Sequence, residues 1–110
     1  MAASGPRMTI PTQRVLRALL AGLPEESYGA ALGDAAGLPS GTVHPILARL
    51  EGVGWVKSRW EDIDPGAEGR PARRYYRLTS AGVQEARGAL ARAYRPRGAA
   101  VPSSPIPEQP

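Results

Sequence analysis

The chain has 110 residues, with 14 Lys and Arg against 10 Asp and Glu and a formal charge of +4. That length sets one small domain as the expectation. The absence of Cys excludes disulfides, thiolate nucleophiles and Cys-ligated zinc, and the single His, His44, leaves little from which to build a His-based catalytic centre.

The basic side of the chain is almost entirely Arg, since Lys57 is the sole Lys. Arg offers planar, bidentate recognition of phosphates and guanine edges, which puts nucleic acid first among partners. A GC-rich coding sequence also favours Arg, Ala, Gly and Pro, but it does not explain where the charges sit. No apolar run approaches the roughly 18 residues of a membrane span. The opening segment MAASGPRMTIP lacks the apolar stretch of a secretory signal, so a cytoplasmic location is expected.

In chain order, residues 1–8 read as a disordered start. A first helix is predicted from Thr9, an N-cap candidate, with Pro11 in the first turn where its missing N–H costs nothing. Val15, Leu16, Leu19, Leu20 and Leu23 recur at helical spacing, and Gly22 and Pro24 end the run. A second helix is predicted from Ser27, as N-cap, to about Ala36. Gly29, Gly33 and Gly37 make it slim enough for close neighbours. After Gly37-Leu38-Pro39 a third helix carries Val43, Ile46, Leu47, Leu50 and Val53 as its apolar stripe. Ser40 is its cap candidate. Pro45 then costs one bond to the Gly41 carbonyl, so a loose first turn or capping by Thr42 is expected.

Two strands follow. Trp55 to Glu61 alternate, with Val56, Ser58 and Trp60 opposite Trp55, Lys57, Arg59 and Glu61; Ala72 to Leu78 alternate likewise. Between them DIDPGAEGRP reads as a long polar turn. Thr79 or Ser80 caps a last helix reaching about Tyr94. The final 15 residues, with five prolines, read as an extended disordered tail. Three helices, a two-stranded basic hairpin and a further helix describe a mainly α (α+β) winged helix-turn-helix. Its expected boundaries are residues 9–78 for the DNA-binding domain, 79–95 for a C-terminal dimerisation helix and 96–110 for the tail.

At about 100° per residue, Gly41, His44, Pro45 and Ala48 oppose the apolar stripe of the third helix, flanked by Thr42 and Arg49. Small residues let such a helix sit deep in a major groove. Ser40, Thr42, His44 and Arg49 are then the candidates for phosphate and base contacts. Equally, Ser40 and Thr42 serve only as caps and Arg49 as a solvated charge. The hairpin adds Lys57, Arg59, Arg70, Arg73, Arg74 and Arg77, which either follow the DNA backbone and minor groove or pair across the strands with Glu61 and its acidic neighbours.

Asp62-x-Asp64-x-Gly66 contains a fragment of a calcium loop, but the remaining ligands do not fall into place, so no metal is expected. Gly52-x-Gly54 follows a helix, not a strand, and is no dinucleotide fingerprint. No Ser–His–Asp arrangement surrounds His44. Neither an enzyme nor a cofactor is expected.

The segment SGTVHPILARLEGVGWVKSRWE, followed by GRPARRYYRLTSAG and preceded by Tyr28-Gly29, resembles the PadR family of bacterial transcriptional regulators over about Ile10 to Tyr94. One departure is His44, which stands where that family usually has Tyr and introduces a pH-sensitive side chain. The resemblance implies a homodimeric winged-helix repressor on an inverted-repeat operator in duplex DNA, of the short type with a single helix after the wing. Such a protein would be nucleoid-associated. The apolar stripe Val83, Ala86, Leu90, Ala93 and Tyr94 is then the expected dimer face, together with the first helix. Competing readings are a winged helix serving protein interaction or a small-molecule effector, and a DNA-architectural factor of a mobile element.

Overall fold

The computed structural model describes residues 6–93; the Pro-rich tail at 96–110 and Tyr94 lie outside the described residues. Helix α1 spans Ile10–Ala21 and begins as its sequence requires. The Thr9 hydroxyl accepts from the Thr12 N–H at 3.3 Å, and Gly22 caps the far end. Val15, Leu16 and Leu19 turn inward.

The next segment departs from expectation. Ser27–Tyr28 form a short strand, β1, and α2 runs over Gly29–Ala36 with Tyr28 as an N-cap that makes no side-chain bond. Ser27 is therefore not a helix cap. It pairs with Tyr76 while Tyr28 pairs with Tyr75, so a long-range strand contact overrides the local capping option. The edge-to-face packing of the Tyr28 and Tyr75 rings, 5.8 Å apart, accompanies that pairing.

Helix α3 spans Ser40–Gly52. Its cap is Pro39, not Ser40 or Thr42. The extended Pro39 backbone presents its carbonyl to the N–H groups of both Thr42 (2.9 Å) and Val43 (3.1 Å). Pro45 sits inside the helix, and the Gly41 carbonyl it deprives of a partner belongs to an exposed residue that water can serve.

Strands β2 (Val56–Trp60) and β3 (Arg74–Leu78) form the hairpin, with a one-turn helix, α4 (Pro65–Glu68), in its tip. Asp64 caps that turn by accepting from the Gly66 N–H at 3.0 Å. The sheet has three antiparallel strands in the order β1-β3-β2, one more than the expected two-stranded wing. Helix α5 covers Ser80–Ala93 and is capped by Thr79, whose hydroxyl accepts from the Gly82 N–H and donates to the Gly54 carbonyl. Gly82 is needed there: a Cβ at that position would collide with the Trp55 carbonyl, so only Gly lets α5 lie against the start of β2.

One core joins α1, α2, α3, β2, β3 and α5. Val15, Leu16 and Leu19 meet Leu32, Val43, Leu47, Leu50, Val56, Tyr76 and Leu78. Each fully buried Leu contributes on the order of 1.5–3 kcal/mol. Among the described residues no helix is long and apolar enough to cross a membrane.

Candidate nucleic-acid interface

Helix α3 divides its residues cleanly. Val43, Ile46, Leu47 and Leu50 are buried, while Ser40, Gly41, His44, Pro45, Ala48 and Arg49 are exposed, with Thr42 half-buried between them. Val53, expected to continue the apolar stripe, is the cap after the helix end and is 48% exposed. No heavy atom lies within 4 Å of the place a Gly41 side chain would occupy, so the backbone itself is open to an approaching surface. Among the described residues Arg49 has no ion-pair partner. His44 also packs within the fold in a way that its helical position did not reveal. Its imidazole covers Gly29 at the start of α2, where a Cβ would stand 2.7 Å from the ring Cε1. That contact orients the ring and ties α2 to α3.

The wing is built differently. Four of the five hairpin arginines singled out from sequence, Arg59, Arg70, Arg73 and Arg74, have an internal partner. Arg59 grips Glu26, which precedes β1, through Nε (2.9 Å) and Nη2 (2.6 Å), and lies 5.1 Å from the centre of the Tyr75 ring. Arg70 forms a two-pronged pair with Glu61, at 2.7 and 2.9 Å, across the loop that α4 closes. Arg73 stacks on Tyr28 at 4.3 Å. Arg74 donates to the Ser58 hydroxyl, which donates in turn to Glu51 in the last turn of α3, and its guanidinium lies 5.1 Å from the Trp60 ring.

These partners shape the titration of the acids. The Arg70 guanidinium, helped by the Arg73 backbone N–H and opposed by partial burial, holds the Glu61 carboxyl down at about 2. Glu26 is likewise held below the ordinary carboxylate range, first by its hydrogen bonds to Arg59 and then by the positive charges of Arg59, Arg77 and Lys57.

Three further wing residues are exposed. Lys57 and Arg77 stand directly opposite each other in the β2–β3 register, both exposed, and neither has an ion pair among the described residues. Two like charges in that position repel, and an anion between them relieves it. Trp60 is 60% exposed on the strand face that carries Ser58 and Val56. The alternation in the sequence placed these side chains on their faces, but nothing local showed which cations had partners.

The expected dimer stripe is partly spent within the chain. Ala86 is 0% exposed and belongs to the core, so it is not available to a second copy. Val83, Leu90 and Ala93 remain half-exposed along α5. Ile10 at the start of α1 is 61% exposed.

Solved structures similar to the chain share this architecture. A MarR family transcriptional regulator from Silicibacter pomeroyi matches with a TM-score of 0.56 and 21% identity, over 77% of this chain and 54% of its own. A MepR variant from Staphylococcus aureus matches with a TM-score of 0.62 and 17% identity, over 84% and 62%. A ZitR variant from Lactococcus lactis gives 0.59 and 17%, over 78% and 53%. The chain thus spans a little over half the length of these proteins, and at such identities they show the winged-helix fold. No curated protein matches the sequence. The model of the transcriptional regulator PadR-like family matches residues 20–88, which takes in all of α2, α3 and the wing, with the end of α1 and most of α5. Regulators of this kind are not enzymes, and with more than half of its length matched, the chain belongs to the PadR-like family of transcriptional regulators.

Proposed function

We propose that the protein binds specific duplex DNA as a homodimer and represses transcription from an inverted-repeat operator. The observation that carries this reading is the exposed face of α3. Its large apolar side chains are all buried, and its outer side offers Ser40, Gly41, Thr42, His44, Pro45 and Arg49 with no protein atoms in front of Gly41. A helix of that profile enters a major groove deeply, and Arg49 matches the two acceptors of a guanine edge. Lys57 and Arg77 supply phosphate contacts from the wing. Arg59, Arg70, Arg73 and Arg74 hold the wing in shape and set its positive field.

The dimer would join the α1–α5 sides of two copies, covering Ile10, Val83, Leu90 and Ala93. Repression follows from occupancy of a promoter by two α3 helices and two wings.

Selection of bound duplexes from a random pool tests the reading. A palindromic consensus with half-sites about one helical turn apart, 10–10.5 bp, is the expected result. Absence of any binding to duplex DNA at low salt overturns it. Sedimentation at micromolar concentration checks the dimer; a stable monomer contradicts it.

A further inference from the structure

Between α1 and α2 lies a cavity of about 580 Å³ walled by small side chains, Ala18 from α1 and Ala35 and Ala36 from α2, with Leu32 beneath and Ser27 at one end. It falls within the size range of small-molecule sites. The space exists because both helices offer Ala or Gly where they face each other. At its rim stand Arg14 and Arg17, three residues apart on one face of α1 and both exposed. Arg14 reaches across the groove, its Nη1 lying 3.9 Å from the place of a Gly37 side chain at the end of α2. Among the described residues neither guanidinium has a carboxylate partner or a hydrogen bond to a side chain, in contrast to the four partnered arginines of the wing.

We propose that this cavity binds a small amphiphilic monoanion, a carboxylate or sulfonate on an apolar body. The anion pairs with Arg14 and Arg17, and the apolar part lies over Leu32 and the alanines. The match is one of charge and surface together. A phosphate or a free inorganic anion leaves the apolar walls in water, and an uncharged hydrocarbon leaves both guanidiniums unused. On the reading of α3 as the DNA-binding helix, the ligand is an effector, because α2 is both a wall of the cavity and the support of α3 through Gly29 and His44.

The test titrates the full chain with anilinonaphthalene sulfonate and follows its fluorescence. One saturable site per chain is expected, with octanoate displacing the probe and octanol failing to do so. Replacing both Arg14→Ala and Arg17→Ala weakens binding at least about tenfold. Ala35→Leu, a change at a solvent-exposed position, fills the space and abolishes binding with both arginines in place; it decides the matter if the arginine variant fails to fold. Unchanged probe affinity in Ala35→Leu, or equal displacement by octanol, overturns the site. In a gel shift, saturating octanoate changes the DNA affinity of the wild type. An unchanged affinity overturns the effector role, while no DNA binding in octanoate-free samples defeats the DNA reading and leaves the ligand site to its own titration.

Discussion

Helix α3 and the wing lie side by side, and both looked like DNA ligands from their residue types, yet they spend their polar side chains in opposite ways. On α3 the outward residues have few protein partners: Arg49 has no ion pair among the described residues and Gly41 faces open space. On the wing, Arg59, Arg70, Arg73 and Arg74 are engaged with Glu26, Glu61, Tyr28 and Ser58. A cation already paired offers an incoming phosphate only what remains after its partner is displaced or shared. The contrast teaches that a basic stretch is not by itself a binding surface. Here most of it is the scaffold that keeps a two-stranded projection rigid. Among the described residues of α3 and the wing, the cations with neither an ion pair nor a stacked ring are Arg49, Lys57 and Arg77.

This division can be broken at several points. The largest effect belongs to the inner side of α3. Leu47→Ala removes a side chain that is 0% exposed and should cost about 2–5 kcal/mol, read by denaturant unfolding. Loss of less than 1 kcal/mol would show that α3 is not anchored as described. On the outer side of the same helix, Arg49→Ala should leave stability within about 0.5 kcal/mol while removing about 1–3 kcal/mol of discrimination between operator and random DNA. Competition gel shifts measure it, and equal weakening on both DNAs would assign Arg49 to phosphate.

The wing sharpens the comparison further. Lys57→Ala and Arg77→Ala should each reduce the slope of log affinity against log salt by about 0.9, and raise Tm slightly by relieving the repulsion between the two facing cations. Arg70→Ala should do the reverse, lowering Tm by less than Leu47→Ala does and leaving the salt slope nearly intact. If Arg70→Ala changes the slope as much as the exposed cations do, its pairing with Glu61 is broken on DNA. The smallest effect is on pH. The Glu61 carboxyl is held at about 2, below its ordinary 4.5, so its stabilising contribution is complete above pH 4.5 and is lost as pH falls toward 2. Thermal unfolding at stepped pH should therefore show a shallower acid decline for Glu61→Gln than for the wild type.

Much of this was readable along the chain. The apolar stripe of α3 repeats at helical spacing, and the residues opposite it were exposed as expected. Thr9 and Thr79 both cap the helices they precede, because a hydroxyl at that position reaches an N–H two or three residues on. The failures share one cause. Ser27 has the chemistry of a cap but lies in β1, paired with β3, and Ser40 has it but yields to Pro39. Ala86 belongs to an apolar stripe yet is consumed inside its own chain. In each case the deciding contact comes from residues distant in sequence or from a neighbouring backbone already held in shape.

The sequence by itself determined the order of the four longer helices and the two hairpin strands, the inward and outward faces of α3, and membership of a family whose motifs run from Tyr28-Gly29 to the start of α5. These depend on periods of about 3.6 and 2 residues and on turn chemistry, which are local. Only the tertiary structure decided which cations are free, that Tyr28 adds a third strand, that His44 covers Gly29, and that a cavity opens between α1 and α2. Those depend on which side chains meet across tens of residues, and no spacing along the chain encodes the meeting of Arg59 with Glu26.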